Sequence, residues 1–250
     1  KTCGDPSVYG VLELDAEKAI EYIEKIKAQS GVRITFSHFL AKALAEAIHR
    51  HPEINCVLRF GKLYPRKSVD VFLQVASDKA GKDLSGTVLR AVHTKTLDKI
   101  AKELEQKVTA IREKGDKDYA QMKGLAGMLP GWATQFLLNF GGFFMYTLNR
   151  WTPLMGVPKD SFGSIMLTNV GSLGLDEAVA PLVPYSRIPI LIAAGSVQDK
   201  AVVRDGKIVV GKVIKLCATF DHRVIDGVHA SHLSKSLKQI FANPEAEFGY

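Results

Sequence analysis

The chain has 250 residues, of which 46% are hydrophobic and 24% are charged, and its formal net charge is +7. This length buries a sizeable core in one large or two small domains, and the composition is that of an ordinary globular protein. Basic residues alternate with acidic ones and form no run interleaved with aromatics. The charge pattern therefore argues against a nucleic-acid partner and suits an anionic small molecule, for instance a phosphorylated cofactor.

The three cysteines, Cys3, Cys56 and Cys217, are far apart and form no Cys-x-x-Cys pair. That pattern argues against a disulfide framework and a zinc site and favours a reducing compartment. The N-terminal residues also lack the order of a signal peptide, so we expect a cytoplasmic protein.

Helical and β-type patterns alternate through the first half. The first helix is predicted to open at Asp15 and close near Gly31, and the second to be capped by Thr35 or Ser37. The stretches "INCVLRF", "VDVFLQVA" and "GTVLRAV" predict strands. A third helix, which stops at Gly115, is predicted from apolar residues on one face: Leu97, Ile100, Leu104, Val108 and Ile111.

The second half contributes the β-type runs "FGSIMLTNVG" and "IPILIAAGSV" and then a hairpin. The dipeptide Asp205-Gly206 favours a type I′ turn at the tip of that hairpin. A final helix is predicted to end before Pro244. Because helices and strands mix throughout, we predict an α/β fold, a two-layer sandwich whose mixed β-sheet is covered by helices, in a single domain spanning residues 1–250.

An uncharged aromatic segment covers residues 125–149. Pro130 suits a helix start, and four aromatic residues follow at helical spacing: Trp132, Phe136, Phe140 and Phe143. The length just suffices for a membrane span, but polar residues and the pair Gly141-Gly142 argue against one. Three alternatives stay open: a helical excursion packed on the domain, one packed on a neighbouring subunit, or membrane contact through residues 125–151.

The sequence "TFDHRVIDG" places His222 at the end of a β-type run and Asp226 four residues later. An imidazole titrates near neutrality and is suited to take a proton from a thiol and return it. Asp226 either orients neighbouring groups or caps the last helix, and the two roles are compatible. His229 and His232 have no carboxylate or cysteine at supporting spacing, so we expect solvated histidines and no metal.

The block from about 162 to 227, with the segment "ITFSHFLAKALAEAIHRHPEINCVL", resembles the catalytic domain of the 2-oxoacid dehydrogenase acyltransferases, the E2 components of those complexes. Chloramphenicol acetyltransferase shares their fold and the His-x-x-x-Asp-Gly motif. The resemblance implies acyl transfer between coenzyme A and a thiol such as dihydrolipoamide, with His222 as general base and Asp226 as organiser. Thr168 stands where the family usually has a serine that donates to the oxyanion. The resemblance also implies a homotrimer, alone or in a larger assembly, with active sites between subunits.

Three departures from the family's pattern qualify this interpretation. No lipoyl domain precedes the catalytic block, so we expect a stand-alone member that carries no lipoyl group of its own and uses either a separate lipoyl-bearing protein or a different acyl acceptor. Lys79 in "SDKAG" superficially resembles a lipoyl-lysine, but its position inside the catalytic block predicts a loop lysine. The stretch "GKDLSGTVL" replaces the family's usual Gly-Leu-x-x-Pro-Val. A hydrophobic helical insert at about 122–158 replaces a short connection, which keeps open the alternative of an E2-like assembly or scaffold module with little turnover.

Overall fold

The computed structural model describes residues 5–76, 84–114, 130–144, 148, 150, 160–183 and 186–249. The strands are β1 (Ser7–Asp15), β2 (Cys56–Arg59), β3 (Lys62–Pro65), β4 (Val71–Ala76), β5 (Leu84–Leu89), β6 (Ile165–Asn169), β7 (Ile190–Arg204) and β8 (Lys207–Asp221). The helices are α1 (Glu17–Ser30), α2 (Phe36–His49), α3 (Leu97–Lys114), α4 (Gly131–Gly142), α5 (Gly227–Ala242) and α6 (Pro244–Phe248).

The main sheet has six strands in the order β1-β8-β7-β6-β4-β5, and β2 pairs with β3 in a separate hairpin. Strand β6 runs parallel to β4 and β7, whereas the other pairs are antiparallel. Alternate residues of these strands share one apolar cluster with α1, α2, α3 and α5. The predicted mixed sheet with helices on one face is therefore confirmed, and we call this helix-covered side the inner face.

The opposite, outer face of the sheet is partly covered by an extended segment, residues 176–183. Ala178 packs on Ala193 and Cys217, and the Thr219 hydroxyl donates a hydrogen bond to the Ala180 carbonyl oxygen at 2.7 Å. At Gly195 a Cβ atom would lie 1.9 Å from the Asp176 carbonyl oxygen. Only a glycine at that place allows the segment to lie so close to the sheet.

Local sequence signals set several element boundaries. Thr35 caps α2 in a capping box, in which its backbone N–H donates to His38 Nδ1 at 3.0 Å. Gly31 ends α1 in the left-handed region, as predicted. The N-cap of α1 is Ala16 rather than Asp15, although the Asp15 carboxylate accepts the Glu17 N–H at 3.0 Å.

The hairpin of β7 and β8 turns through Asp205 and Gly206, both with positive φ, as the predicted type I′ turn requires. The two β-type runs on its first side form the single strand β7, with one irregularity between Ala194 and Val197. Beyond that irregularity the two strands form an arm. Its outer part carries exposed apolar side chains at Val203, Ile208 and Val210.

The aromatic segment contains α4, and the four aromatic residues at helical spacing are exposed, Trp132 by 76% and Phe136 by 66%. Phe143 meets Phe60 of the β2–β3 turn in an edge-to-face contact. In the described ranges no helix is long and apolar enough to cross a membrane. Lys79 and residues 122–129, 145–147, 149 and 151–158 of the predicted insert lie outside the described residues.

Candidate functional site

His222 lies in the loop that follows β8, and hydrogen bonds fix the backbone of this loop. Val224 and Ile225 are buried, and both of their N–H groups donate to the Asp221 carbonyl oxygen. The Asp221 carboxylate accepts hydrogen bonds from Arg223, including 2.9 Å from Nε and 2.7 Å from Nη2. His222 is exposed, and its backbone N–H donates to the Pro6 carbonyl oxygen at 2.9 Å. The fold therefore fixes the backbone of this residue while its imidazole faces solvent.

Asp226 caps α5, as one of its two predicted roles requires. Its carboxylate accepts the N–H groups of Val228 and His229, both at 2.9 Å, and its own N–H donates to His229 Nδ1. The His229 N–H is the main reason that the pKa of Asp226 lies below its ordinary value, and the nearby imidazoles of His229 and His222 lower that pKa further. The His222 loop thus ends in a carboxylate that favours its charged form.

Thr168 lies near the end of β6, half-buried. Its neighbours along β6 alternate between faces: Leu167 belongs to the core under the helices, and Met166 belongs to the cluster on the outer face. Because successive side chains of a strand point to opposite sides, Thr168 shares the outer face with Met166. The Thr168 hydroxyl is therefore on the side of the sheet that helices do not cover.

The sheet register separates Thr168 from His222. Thr168 pairs with Ala193, Ala193 with Cys217, and Cys217 with Val11. His222 comes five residues after Cys217, so it is displaced by about 16 Å along β8, and the two intervening strand spacings add about 10 Å across the sheet. Within one chain, the two predicted catalytic side chains are too far apart to contact the same reacting atom.

The outer face carries exposed apolar side chains at its β1 end, whereas Ala193 and Cys217, which lie between that end and Thr168, are buried beneath Ala178. Val11, at the end of the row that contains Thr168, is 58% exposed, and Tyr9, two residues earlier on the same face of β1, is 53% exposed. Solvent-facing apolar groups at one edge of a sheet are typical of surfaces that another chain covers. The β1 edge of the outer face is therefore a candidate surface for contact with another chain.

Asn169 secures the turn that follows Thr168, a role that the sequence analysis did not assign. Its side-chain amide donates to the Ser37 hydroxyl at the start of α2 at 2.9 Å, and its Oδ1 accepts the Ser172 N–H. The "TNVG" sequence, with an asparagine before a turn, was the signal for this role. Ser37, predicted as a possible helix cap, instead ties α2 to the end of β6.

The two helix histidines have different partners. His229 belongs to the capping box of Asp226. His232 stacks on His51, with ring centroids 5.0 Å apart, and Glu53 lies beside both. The Glu53 carboxylate is close to His232 in space, although it is far from His232 in the sequence and could not be predicted as its neighbour. The expectation of no metal therefore stays a prediction.

Comparison with known proteins places these residues in a family context. The sequence model of the 2-oxoacid dehydrogenases acyltransferase family (catalytic domain) matches residues 4–125 and 159–248, so the unmatched stretch coincides with the predicted insert. The chain is 24% identical over 245 residues to the dihydrolipoyllysine-residue acetyltransferase component of the pyruvate dehydrogenase complex of Bacillus subtilis, which covers 96% of this chain and 46% of that protein. It is 23% identical over 239 residues to the lipoamide acyltransferase component of the branched-chain alpha-keto acid dehydrogenase complex of the same organism, covering 94% and 46%. The chain spans about half the length of these relatives.

Solved structures share the fold. A probable dihydrolipoamide acetyltransferase from Listeria monocytogenes superposes with a TM-score of 0.70 at 19% identity, covering 95% of this chain and 85% of that one. The dihydrolipoamide acetyltransferase of Azotobacter vinelandii gives 0.69 at 20% identity, covering 98% and 84%. A chloramphenicol acetyltransferase gives 0.54 at 17% identity, covering 95% and 89%. These structures confirm the predicted fold class.

Proposed function

Since the chain belongs to the 2-oxoacid dehydrogenases acyltransferase (catalytic domain) family, we propose that it transfers an acyl group between coenzyme A and a thiol such as dihydrolipoamide. The observation that carries this proposal is the placement of His222. Its side chain is exposed just after β8, and hydrogen bonds to the Pro6 and Asp221 carbonyl oxygens fix the backbone around it. A base that acts on a bound thiol must be open to substrate and fixed in position.

In the proposed reaction the neutral His222 imidazole takes the proton of the attacking thiol. The resulting thiolate adds to the thioester carbonyl carbon, and the negative charge moves to the carbonyl oxygen of a tetrahedral intermediate. When the intermediate collapses, the carbon–sulfur bond to the other carrier breaks and His222 returns the proton to the departing sulfur. The step exchanges one thioester for another and needs no oxidant or reductant.

Thr168 is the proposed hydrogen-bond donor to the oxyanion, and it acts from a neighbouring chain. An oxyanion donor and a general base must both lie about 3 Å from the reacting group. The separation of Thr168 from His222 within one chain prevents this, whereas a neighbouring copy of the chain supplies the second residue to each site. The proposal therefore includes a homo-oligomer, with a trimer as the expected form.

The spacing of the family residues supports these roles. The Azotobacter vinelandii structure concerns the role of a serine, a histidine and an asparagine in the catalytic mechanism, with the asparagine four positions after the histidine. His222 and Asp226 have the same spacing, and Thr168 precedes His222 by about as many residues as that serine precedes its histidine. Asp226 is thus proposed to organise the loop as well as to cap α5.

The carriers are proposed from the names of the relatives, a dihydrolipoyllysine-residue acetyltransferase and a lipoamide acyltransferase. Coenzyme A is the proposed partner carrier, and the net charge of +7 favours its phosphates. A lipoyl group on a separate protein, and a cytoplasmic location, stay predictions.

The direct test is a thiol-exchange assay with acetyl-CoA and dihydrolipoamide. His222→Ala is expected to lower kcat/KM by about 10²–10⁴-fold, because it removes the base. His49→Gln, which changes an exposed histidine on α2, is the matched control and is expected to keep full activity. Activity that survives His222→Ala unchanged would contradict the mechanism.

A second candidate function is an assembly module with little turnover. The exposed aromatic residues of α4, in a stretch that the family model does not match, favour it. The same thiol-exchange assay decides between the two functions, since a scaffold shows no turnover in the wild-type protein with either carrier.

A further inference from the structure

Three potential metal ligands meet where the end of α2 packs beside α5. His51 follows α2, Glu53 lies two residues later, and His232 comes from the second turn of α5. One ligand atom from each of the three lies within 4.8 Å of the other two. His51 Nδ1 is 3.6 Å and His232 Nδ1 is 3.9 Å from the same carboxylate oxygen, Glu53 Oε1. The cluster is separate from the proposed acyl-transfer residues.

The nitrogen atoms of this cluster are short of hydrogen-bond partners. His232 Nδ1 is buried, and nothing in the described part of the chain makes a hydrogen bond to it. His51 Nε2 lies 3.0 Å from the buried Ser236 hydroxyl. When that nitrogen carries the proton, His51 Nδ1 presents a lone pair to Glu53. A lone pair opposite a carboxylate is unfavourable unless a cation lies between them.

The side chains that surround the cluster suit a metal better than an ion pair. The second nitrogen of a metal-bound histidine usually bonds to another protein group, as His51 bonds to Ser236. The Glu53 side chain is 47% exposed, so water and a hydrated ion reach its carboxylate, which lies 3.9 Å from the buried Nδ1 of His232. Two imidazoles and one carboxylate are a ligand set that borderline divalent ions such as Zn²⁺ favour.

We propose that His51, Glu53 and His232 bind one Zn²⁺ ion, with water in the remaining position. Ligand atoms around tetrahedral zinc are separated by about 3.4 Å, given metal–ligand distances of about 2.1 Å. The two distances to Glu53 need to shorten by less than an ångström, and the stacked rings of His51 and His232, now 22° from parallel, must tilt so that both Nδ1 lone pairs point at the ion. The bound ion links the end of α2 to α5 and stabilises the contact between them.

The test uses the full chain after treatment with EDTA and dialysis. Isothermal titration with Zn²⁺ is expected to show one saturable site per chain, and thermal unfolding is expected to shift upward. A ligand that binds only the folded state raises Tm by about 5–10 °C when its free concentration is about a hundred times Kd. Glu53→Gln and His232→Gln keep size and polarity but remove a ligand, and each is expected to weaken binding by about tenfold or more.

His49→Gln is the matched control, because His49 belongs to the other stacked histidine pair, with His93, which has no third ligand in the described residues. It is expected to leave the Zn²⁺ titration unchanged. Absence of a saturable site in the wild type, or one that survives both Glu53→Gln and His232→Gln, overturns the proposal. Each ligand variant is checked for an unchanged circular dichroism spectrum without zinc, so that lost binding is separated from lost folding.

Discussion

Thr168 lies on β6 and His222 in the loop that follows β8, two strands away, and the register places Thr168 level with Cys217, five residues before His222. Since a strand rises about 3.3 Å per residue, the two side chains face regions separated by well over 10 Å. If both residues act on one tetrahedral intermediate, they must come from different copies of the chain. The proposed mechanism therefore requires an active site that forms between two subunits.

We predict that two inactive variants complement each other. His222→Ala and Thr168→Ala chains are unfolded together, refolded as a mixture and assayed for thiol exchange. In a closed ring with head-to-tail interfaces, roughly a quarter of the sites receive an intact histidine from one chain and an intact threonine from its neighbour.

Each variant refolded alone serves as the control and is expected to stay inactive. A mixture that is no more active than its components would show that the two residues do not meet across an interface.

The hydroxyl of Thr168 is predicted to contribute through its donor and not through its methyl group. Thr168→Ala should lower kcat by about 10²–10³-fold, since it removes one oxyanion donor. Thr168→Ser keeps the donor and restores the family's usual residue, so its kcat should stay near the wild-type value. Steady-state kinetics with both carriers measure the effect; equal losses in the two variants would argue for a packing role.

Two substitutions of Asp226 separate the helix-capping role of its side chain from the role of its negative charge. Asp226→Ala removes the cap of α5 and is expected to lower Tm by about 2–4 °C. Asp226→Asn keeps an acceptor for the N–H groups of Val228 and His229 and should unfold near the wild-type temperature at neutral pH. A fall in kcat for Asp226→Asn without a fall in Tm is the expected sign of the organising role.

The pH dependence gives a further check on Asp226. Its pKa is lowered in the folded chain below the ordinary 3.8, so the carboxylate's contribution to stability is present above that value and is lost as pH falls through the lowered pKa. Asp226→Asn should lack this loss. Thermal unfolding of both proteins between neutral pH and pH 3 measures the difference, and parallel curves would contradict the assigned shift.

Asp70, which directly precedes β4, is predicted to be a carboxylate that stabilises the fold. It accepts hydrogen bonds from Ser68 Oγ at 2.9 Å, Arg90 Nη1 at 2.9 Å and the Ala91 N–H at 2.8 Å. Burial by itself raises the pKa of Asp70, but these donors outweigh it and the pKa lies below 3.8. Asp70→Asn should therefore lower the free energy of unfolding by about 1.5–3 kcal/mol at neutral pH.

The difference between wild type and Asp70→Asn should shrink as pH falls through the lowered pKa, because the wild-type carboxylate then becomes neutral as well. Urea unfolding at several pH values measures it. Asp199→Asn is the matched control, since the pair of Asp199 with Lys212 is exposed and contributes about 0–1 kcal/mol. If the two substitutions lowered the free energy of unfolding equally, the prediction that Asp70 stabilises the fold would be wrong.

The exposed face of α4 is predicted to be an assembly surface. Trp132→Gln combined with Phe136→Gln should reduce the mass of the assembly in sedimentation equilibrium, because it removes two large apolar side chains that solvent otherwise meets. Trp132→Phe with Phe136→Leu keeps the surface apolar and should preserve the mass. An unchanged mass in the glutamine variant would exclude this interface.

Much of the fold could be predicted because its signals are local. Thr35 begins α2 in a capping box with His38, Gly31 ends α1 through its positive φ, and the Asp205-Gly206 pair turns the long hairpin. Each of these depends on the conformational preference of one or two residues and their immediate neighbours. The helical face of α3 and the alternation of the strands follow from hydrophobic periodicity in the same way.

The sequence by itself also determined which residues to consider for chemistry: His222 and Asp226 stand in one short loop, and Thr168 stands before a turn. Only the tertiary structure decided which of them meet. The pairing of β6, β7 and β8 sets Thr168 apart from His222, and the packing of α2 against α5 brings His51 to His232. The physical reason is that strand register and helix packing depend on the whole buried surface, so no short stretch of sequence encodes the distance between two such residues.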